Sequence, residues 1–158
     1  MRIKEMLWPA MERIEALVRS GKTVTGVASG FVDLDEMTSG FQPADLIIIG
    51  ARPSMGKTAL CLNIAQHAAI QDKVPVAIFS LEMSKESLAQ RMLTSEARVD
   101  SQRVRRGLVR DDEFPMLTRA AGILSSAPIY IDDSSGLSVL EMRSKARRLR
   151  AEDNIGLI

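Results

Sequence analysis

The chain has 158 residues, the length of one domain, and its hydrophobic fraction of 46% and charged fraction of 26% are those of a soluble globular protein. Its net charge of +1 excludes a generally basic nucleic-acid-binding chain, so any such surface would be a local patch. One cysteine excludes an internal disulfide and no apolar run approaches the ~20 residues that span a bilayer, so we predict a cytoplasmic protein in which Cys61 is a small buried hydrophobe.

The first predicted element is a separate helix with a single apolar stripe. Apolar side chains recur every three or four residues, the spacing of one helix face, at Leu7, Met11, Ile14 and Val18. Pro9 is tolerated in a first turn, and Gly21 is typical of a C-terminal cap. An irregular linker at 21–30 follows. The stripe could pack on its own domain or on a neighbouring subunit, and the linker favours the neighbour.

A short helix at 32–38 is predicted next, and then a strand that leads directly into a loop. The apolar run Leu46–Gly50 predicts a buried strand. It is followed by Ala51–Thr58, with the sequence Ala-Arg-Pro-Ser-Met-Gly-Lys-Thr, and a long helical stretch begins at Ala59. The pattern is that of a phosphate-binding loop, although Ala51 occupies the place of the usual first glycine.

Each residue of the Gly-Lys-Thr triplet has a chemical reason to be there. Gly56 lets backbone N–H groups approach phosphate oxygens, Lys57 reaches the β- and γ-phosphates, and the Thr58 hydroxyl can ligate Mg²⁺. The following helix directs the positive end of its dipole at the anion. We therefore predict that the chain binds a nucleoside triphosphate.

The remaining pattern alternates strands with helices, which predicts a parallel α/β sheet with ligands at the carboxyl ends of its strands. The predicted strands lie at 75–81, 128–131 and 155–158. Predicted helices lie at 84–98, capped by Ser84, at 101–106, at 111–124 with Pro115 in its first turn, and at 138–150, opened by a Ser138–Glu141 capping box. The chain stops inside its fourth predicted strand, so we interpret it as a fragment.

Carboxylates after two strands are candidates for chemistry. Glu82 ends the second strand, on the rim that carries the phosphate loop, and could orient and deprotonate an attacking water. The alternative is an exposed carboxylate favoured by the next helix dipole. Asp132 and Asp133 end the third strand and could be associated with a metal, but we favour turn residues before Ser134.

Basic residues form two clusters that we interpret as solvated helix faces or subunit contacts, offset by acidic neighbours. The clusters are Arg98, Arg103, Arg105, Arg106 and Arg110, and then Arg143, Lys145, Arg147, Arg148 and Arg150. With one Trp, one Tyr and four Phe, the chain offers no interleaved aromatics for base stacking. His67 has no Cys or acidic neighbour at metal spacing, and we predict a structural role for it.

Together these motifs resemble one family closely. Thr-Gly-x-x-Ser-Gly-Phe-x-x-Leu-Asp at 25–35, the loop at 51–58, Phe-Ser-Leu-Glu-Met-Ser at 79–84 and Tyr-Ile-Asp-Asp at 130–133 resemble the RecA-like motor domain of bacterial DnaB-type replicative helicases. The resemblance covers essentially the whole chain. It implies a RecA-like P-loop NTPase sheet flanked by helices, with residues 1–21 as a linker helix and 22–158 as the N-terminal part of the ATPase domain.

The resemblance also implies roles for individual residues. ATP and Mg²⁺ would be held by Ser54, Met55, Gly56, Lys57, Thr58 and Ala59, with Thr58 on the metal and Lys57 and Glu82 in the catalytic roles. Arg91 matches a family arginine that contacts the nucleotide, and a guanidinium suits either a base or a phosphate; the alternative is a surface arginine. The family's metal-associated Asp, DNA-binding loops and arginine finger would lie beyond Ile158.

The function that follows is ATP-driven 5′→3′ DNA unwinding at the replication fork by a hexameric ring, in which the linker helix packs on the adjacent subunit. Single-stranded DNA, a primase and a helicase loader would be partners of the whole protein. Two alternatives remain open at this point. One is a RecA-like recombinase or repair ATPase, and the other is a fragment that binds nucleotide or a subunit without turnover.

Overall fold

Two short parallel strands and the helices packed on them form the centre of the fold. The computed structural model describes residues 2–158, and its elements in chain order are α1 (Ile3–Ser20), α2 (Val32–Thr38), α3 (Lys57–Ile70), β1 (Val76–Phe79), α4 (Lys85–Ala97), α5 (Ser101–Arg105), α6 (Phe114–Ser125), β2 (Ile129–Asp132) and α7 (Val139–Asp153). The predicted α/β class is confirmed; β1 is shorter than the strand predicted at 75–81, and β2 has the predicted length but begins one residue later than the strand predicted at 128–131.

Strand pairing places the end of β1 beside the end of β2. The two strands are parallel, with Val76 opposite Ile129 and Phe79 opposite Asp132. The predicted strand at 155–158 makes one parallel bridge, between Leu157 and Val76, on the other side of β1. The residues that follow β1 and β2 therefore emerge together at the carboxyl edge of the sheet, where parallel α/β folds bind their ligands.

Helix α3 packs on the sheet through its small side chains. Ala65, Ala68 and Ala69 are buried in one cluster with Val76 of β1. Near the start of α3, Leu62 packs with Leu88 and Met92 of α4 in a second cluster. Because α3 is packed on both β1 and α4, its first turn is held in a fixed place relative to the carboxyl edge of the sheet.

Two predicted helix starts are confirmed by their caps. The Ser84 hydroxyl accepts the N–H of Ser87 at the start of α4. Ser138 and Glu141 form the predicted capping box at the start of α7. Helix α6 begins three residues later than predicted, at Phe114, and Pro115 lies in its first turn.

The predicted strand Leu46–Gly50 was wrong. Residues 46–50 form no strand, and their backbone groups make no hydrogen bond within residues 2–158. Leu46 and Ile48 are 86% and 83% exposed. A strand exists only through pairing with a neighbour, and within the described chain no strand lies beside this run. Its apolar pattern predicts burial that residues 2–158 do not supply.

Helix α1 is formed as predicted, but it begins earlier, and within residues 2–158 none of its residues is buried. Its first residue is Ile3, so Pro9 lies inside the helix rather than in its first turn, where it removes one backbone hydrogen bond. Every residue of α1 is exposed, including the stripe of Leu7, Met11, Ile14 and Val18. Gly21 ends the helix with a φ of 61°, as a C-terminal cap.

One buried carboxylate joins α2 to residues 29–30 of the preceding linker. Asp35 of α2 accepts the N–H groups of Ser29, at 2.7 Å, and Gly30, at 3.1 Å. Burial alone would raise the pKa of Asp35, but these hydrogen bonds outweigh it and hold the pKa below its ordinary value. Gly30 has a φ of +84° and lies directly against the ring of His67, confirming a structural setting for that histidine.

Candidate functional site

The loop before α3 is built from left-handed backbone at two positions. Gly56, the N-cap of α3, has a φ of 89°, and Ser54 has a φ of 64°. The N–H of Met55 bonds to the carbonyl of Arg52 at 3.3 Å, which closes a turn. Successive backbone units that alternate between left- and right-handed conformations direct their N–H groups into a common concavity, and such concavities bind anions.

The first turn of α3 continues this concavity. No side chain among residues 2–158 caps it, so the N–H groups of Lys57, Thr58 and Ala59 have no intrahelical partner. Lys57 is exposed and Thr58 is half-buried. A Cβ at Gly56 would meet no atom within 4 Å, so this glycine is required by its φ and not by lack of room. These donors are of the kind that bind a phosphate group, and the Thr58 hydroxyl is an oxygen of the kind that Mg²⁺ accepts.

A cleft of about 540 Å³ runs from the first turn of α3 along α4 and α5. Ala59 and Met83 both line it, which places the loop between β1 and α4 near the start of α3. Arg91 of α4 lines the same cleft and makes no ion pair within residues 2–158. The structure therefore brings Ala59 and Arg91 together, while Lys57 and Glu82 lie outside the lining of this cleft.

Glu82 lies in the loop between β1 and α4, at the carboxyl edge of the sheet. Its side chain is exposed and, within the described residues, makes no hydrogen bond or ion pair. Hydrogen bonds from Ser80 fix the backbone on both sides of Glu82. The Ser80 hydroxyl donates to the carbonyl of Met83 at 2.7 Å and accepts its N–H at 3.2 Å. The Ser80 N–H bonds to the carbonyl of Asp132 at 2.8 Å.

The carboxylates at the end of β2 have structural partners. Asp132 pairs with Lys145 of α7 and accepts the N–H of Ser134 at 3.0 Å, which forms the turn predicted for this pair. The hydrogen bond from Lys145, followed by those from Ser134, holds the pKa of Asp132 far below its ordinary value. Asp133 accepts the N–H of Lys85 at 2.9 Å, at the start of α4. Over residues 2–158, no three His, Cys, Asp or Glu side chains lie together as a metal site.

The structure also bears on the sequence interpretations of Cys61 and of the first basic cluster. Cys61 is exposed, so the prediction of a buried hydrophobe was wrong. Two arginines of the first basic cluster pair with Glu113, which is only 5% exposed. It pairs with Arg103 at 2.7 Å and with Arg110 at 3.5 Å. The hydrogen bond from the Arg110 N–H is the main reason why the pKa of Glu113 is lowered.

Sequence reasoning missed three residues at the carboxyl edge. Ser80, Asp133 and Lys145 organise the ends of β1 and β2, yet they were not singled out for this purpose. A hydroxyl directly after a strand is a signal for a local side-chain to backbone turn, and it could have identified Ser80. Asp133 and Lys85 are 48 residues apart in the sequence, so no local pattern predicts their hydrogen bond.

The chain matches one protein family over most of its length. The description of that family is DnaB-like helicase C terminal domain, and the match covers residues 26–158. Among curated proteins, the chain is 53% identical over 137 residues to the replicative DNA helicase DnaB of Nostoc sp., and 47% identical over 156 residues to the replicative DNA helicase DnaC of Bacillus subtilis. It spans 16% and 34% of the lengths of these two relatives, and 87% and 99% of the chain is matched.

Solved structures agree with the fold. The ATPase domain of G40P superposes with a TM-score of 0.85 at 34% identity, over 96% of this chain and 52% of that one. A DnaB-like replicative helicase, whose structure was described together with its interactions with primase, superposes with a TM-score of 0.83 at 33% identity, over 96% of this chain and 36% of that one. The arrangement of helices and strands described above therefore also occurs in a solved ATPase domain and in a solved replicative helicase.

Proposed function

The chain belongs to the DnaB-like helicase C-terminal domain family, and we propose that it supplies the ATP-binding part of a replicative DNA helicase. The observation that carries the proposal is the left-handed Gly56 opening into an uncapped first turn of α3, directly followed by Lys57 and Thr58. That arrangement offers several N–H donors, one ammonium and one hydroxyl to a single anion. A Mg²⁺-bound triphosphate supplies both the phosphoryl group to be transferred and the charge that these groups neutralise.

We assign each residue a role from its place in the fold. The backbone N–H groups at 54–59 bind phosphate oxygens, Lys57 neutralises the terminal phosphates, and the Thr58 hydroxyl ligates Mg²⁺. Glu82, at the carboxyl edge of the sheet, orients a water molecule and accepts its proton. Arg91, with no ion pair within residues 2–158, extends into the cleft that begins at Ala59 and contacts the nucleotide.

The activity of a whole helicase involves more than this chain, which spans about a third or less of the relatives above. We propose that residues 1–21 are a linker helix, that 22–158 contribute to the ATPase domain, and that the exposed stripe of α1 packs on an adjacent subunit of a hexameric ring. We also propose unwinding in the 5′→3′ direction, a cytoplasmic location, and partnership with single-stranded DNA, a primase and a loader; family membership supports these proposals. Within residues 2–158, no helix is long and apolar enough to cross a membrane.

A second candidate function is nucleotide or subunit binding without turnover. The specific observation that favours it is the exposed, unpaired run Leu46–Gly50, which leads directly into the phosphate loop. Because residues 46–50 are not paired with the sheet in the described part of the chain, the loop is held there from the α3 side alone. Phosphate binding needs the loop and α3, whereas hydrolysis also needs Glu82 at a fixed distance from the bound phosphates.

Substitution of Lys57 tests the nucleotide site on the chain itself. A fluorescent ATP analogue is titrated into Lys57→Ala and into Lys22→Ala, a matched control that removes an exposed ammonium from the linker. Loss of the Lys57 charge should weaken binding at least tenfold, about 1.4 kcal/mol, because triphosphate charge is left uncompensated. The control should bind as the unmodified chain does. Equal affinity in both variants would refute the phosphate-loop assignment.

A further inference from the structure

Glu82 is exposed and has no side-chain partner within residues 2–158, so its position is set by the backbone that carries it. That backbone is the short loop at 80–84 between β1 and α4. A general base must lie within hydrogen-bond reach of the proton that it removes, and a misplacement of 1 Å can cost about 100-fold in rate. The groups that fix this loop are therefore of functional interest.

The loop is fixed internally by one hydroxyl. Ser80 is half-buried, and its Oγ both donates to the carbonyl of Met83 and accepts the N–H of the same residue, at 2.7 and 3.2 Å. These two bonds close the chain around Leu81 and Glu82 into a small ring. The loop backbone therefore has little freedom to swing Glu82 away from the sheet edge.

The two ends of the loop are fixed from β2. The Ser80 N–H donates to the carbonyl of Asp132 at 2.8 Å, which continues the pairing of β1 with β2. At the far end, the Asp133 carboxylate accepts the Lys85 N–H at 2.9 Å, and the Lys85 ammonium lies 3.9 Å from its other oxygen. The carboxyl end of β2 thus holds both ends of the loop that follows β1.

We propose that Ser80 and Asp133 are positioning residues that hold Glu82 in place for hydrolysis. This inference rests on the proposed catalytic role of Glu82 and names the groups on which that role depends. Neither residue would touch the nucleotide. The prediction is therefore a loss of turnover that acts through Glu82, with little loss of nucleotide affinity.

The first test needs neither nucleotide nor activity. Amide hydrogen exchange is measured on the chain itself for Ser80→Ala and Asp133→Ala, with Ser80→Thr and Asp133→Asn as conservative variants that keep an acceptor. Loss of the anchors should speed exchange of the Met83 or Lys85 amide about tenfold or more while amides within α3 are unchanged. The conservative variants should restore protection. Unchanged exchange in both alanine variants would overturn the proposal, and the two positions give independent results if one variant does not fold.

The second test separates positioning from a merely structural role. Because the chain spans 34% of the Bacillus subtilis helicase, ATP hydrolysis is measured in a hybrid of that protein in which this chain replaces the matching segment. Ser80→Ala and Asp133→Ala should lower kcat about tenfold or more and change KM less than twofold. Each should cause no further loss in a Glu82→Gln background, since residues that act as one unit are not additive. Additive losses, or losses confined to KM, would overturn the proposal.

The two tests also distinguish failure of this inference from failure of the proposed function. If Glu82→Gln alone left hydrolysis unchanged, Glu82 would not be the catalytic carboxylate and a positioning role would fall with it. The exchange data would then show whether the anchors exist as purely structural bonds. If Glu82→Gln abolished hydrolysis while the Ser80 and Asp133 variants remained fully active, only the inference drawn here would be refuted.

Discussion

The carboxylates at the edge of the sheet differ in their partners. Asp132 and Asp133 are both hydrogen bonded, whereas Glu82 is exposed and unpartnered within residues 2–158. A carboxylate occupied by Lys145 cannot easily serve as a base, but an unpartnered one can. This contrast could not be read from the sequence, where each carboxylate simply follows an apolar strand.

Replacing Glu82 by Gln separates nucleotide binding from turnover. The substitution keeps shape and hydrogen bonding but removes the base, so the hybrid protein should bind the ATP analogue normally while steady-state hydrolysis falls about 100-fold or more. Asp132→Asn is the matched control and should change turnover little. An ATPase rate near that of the unmodified hybrid would mean that Glu82 is an ordinary strand-end carboxylate with no catalytic role. A loss at Asp132 as large as at Glu82 would mean that the wrong strand was assigned.

The ion pair between Asp132 and Lys145 predicts a pH-dependent stability. The pKa of Asp132 is lower in the folded chain than in the unfolded one, so its contribution is present above about pH 4 and is lost as the pH falls below that value. Asp132→Asn should therefore lower the melting temperature at pH 7, and the gap should begin to narrow near pH 4 and keep narrowing as the pH is lowered toward the depressed pKa of the folded chain. Asp72→Asn, at an exposed carboxylate without an ion pair among residues 2–158, is the control. A gap independent of pH would contradict this account.

Gly30 offers a prediction in which backbone strain and steric contact can be separated. At a φ of +84°, a Cβ would lie 2.5 Å from the Cγ of His67. Gly30→Ala should cost about 2–4 kcal/mol of unfolding free energy, the sum of strain and overpacking. Gly136→Ala, at a φ of +74° in open space, should cost about 1–2 kcal/mol, because it carries strain alone. Urea denaturation gives both values, and equal costs would show that contact with His67 does not matter.

At the scale of elements, local signals predicted what local forces determine. The caps at Ser84 and Ser138 and the first-turn Pro115 involve partners within four residues, so their helices could be placed from the sequence. The strand prediction for Leu46–Gly50 failed because a strand depends on pairing with a neighbour, which can lie anywhere in the chain. The same argument explains why a phosphate loop could be predicted from a local motif, while the hydrogen bonds of Ser80 and Asp133 are seen only in the folded structure.

Helix α1 carries the prediction about assembly. If its apolar stripe packs on an adjacent subunit, burial stabilises the ring at ~25 cal/mol per Å² of apolar area. Met11→Asp with Ile14→Asp would place charges in that contact at a cost of several kcal/mol. In the hybrid protein, sedimentation should show a hexamer giving way to smaller species while each subunit still melts cooperatively.

The control for α1 lies on the same helix, at an acidic position. Glu12→Gln should leave the sedimentation coefficient unchanged, since Glu12 lies outside the stripe. A hexamer that persisted in the Met11 and Ile14 variant, with a lowered melting temperature, would mean that α1 packs on its own domain after all. The exposure of every residue of α1 in the single chain is the observation that favours the adjacent subunit.

At the scale of the whole molecule, the exposed residues 46–50 favour association between copies of the chain in solution. Leu46–Gly50 presents apolar side chains together with N–H and C=O groups that have no partner within residues 2–158. Such a segment is a template to which a like segment of another molecule can add, strand against strand. Precipitation of the isolated chain should therefore set in with rising concentration well below its melting temperature, and light scattering would register it before circular dichroism does.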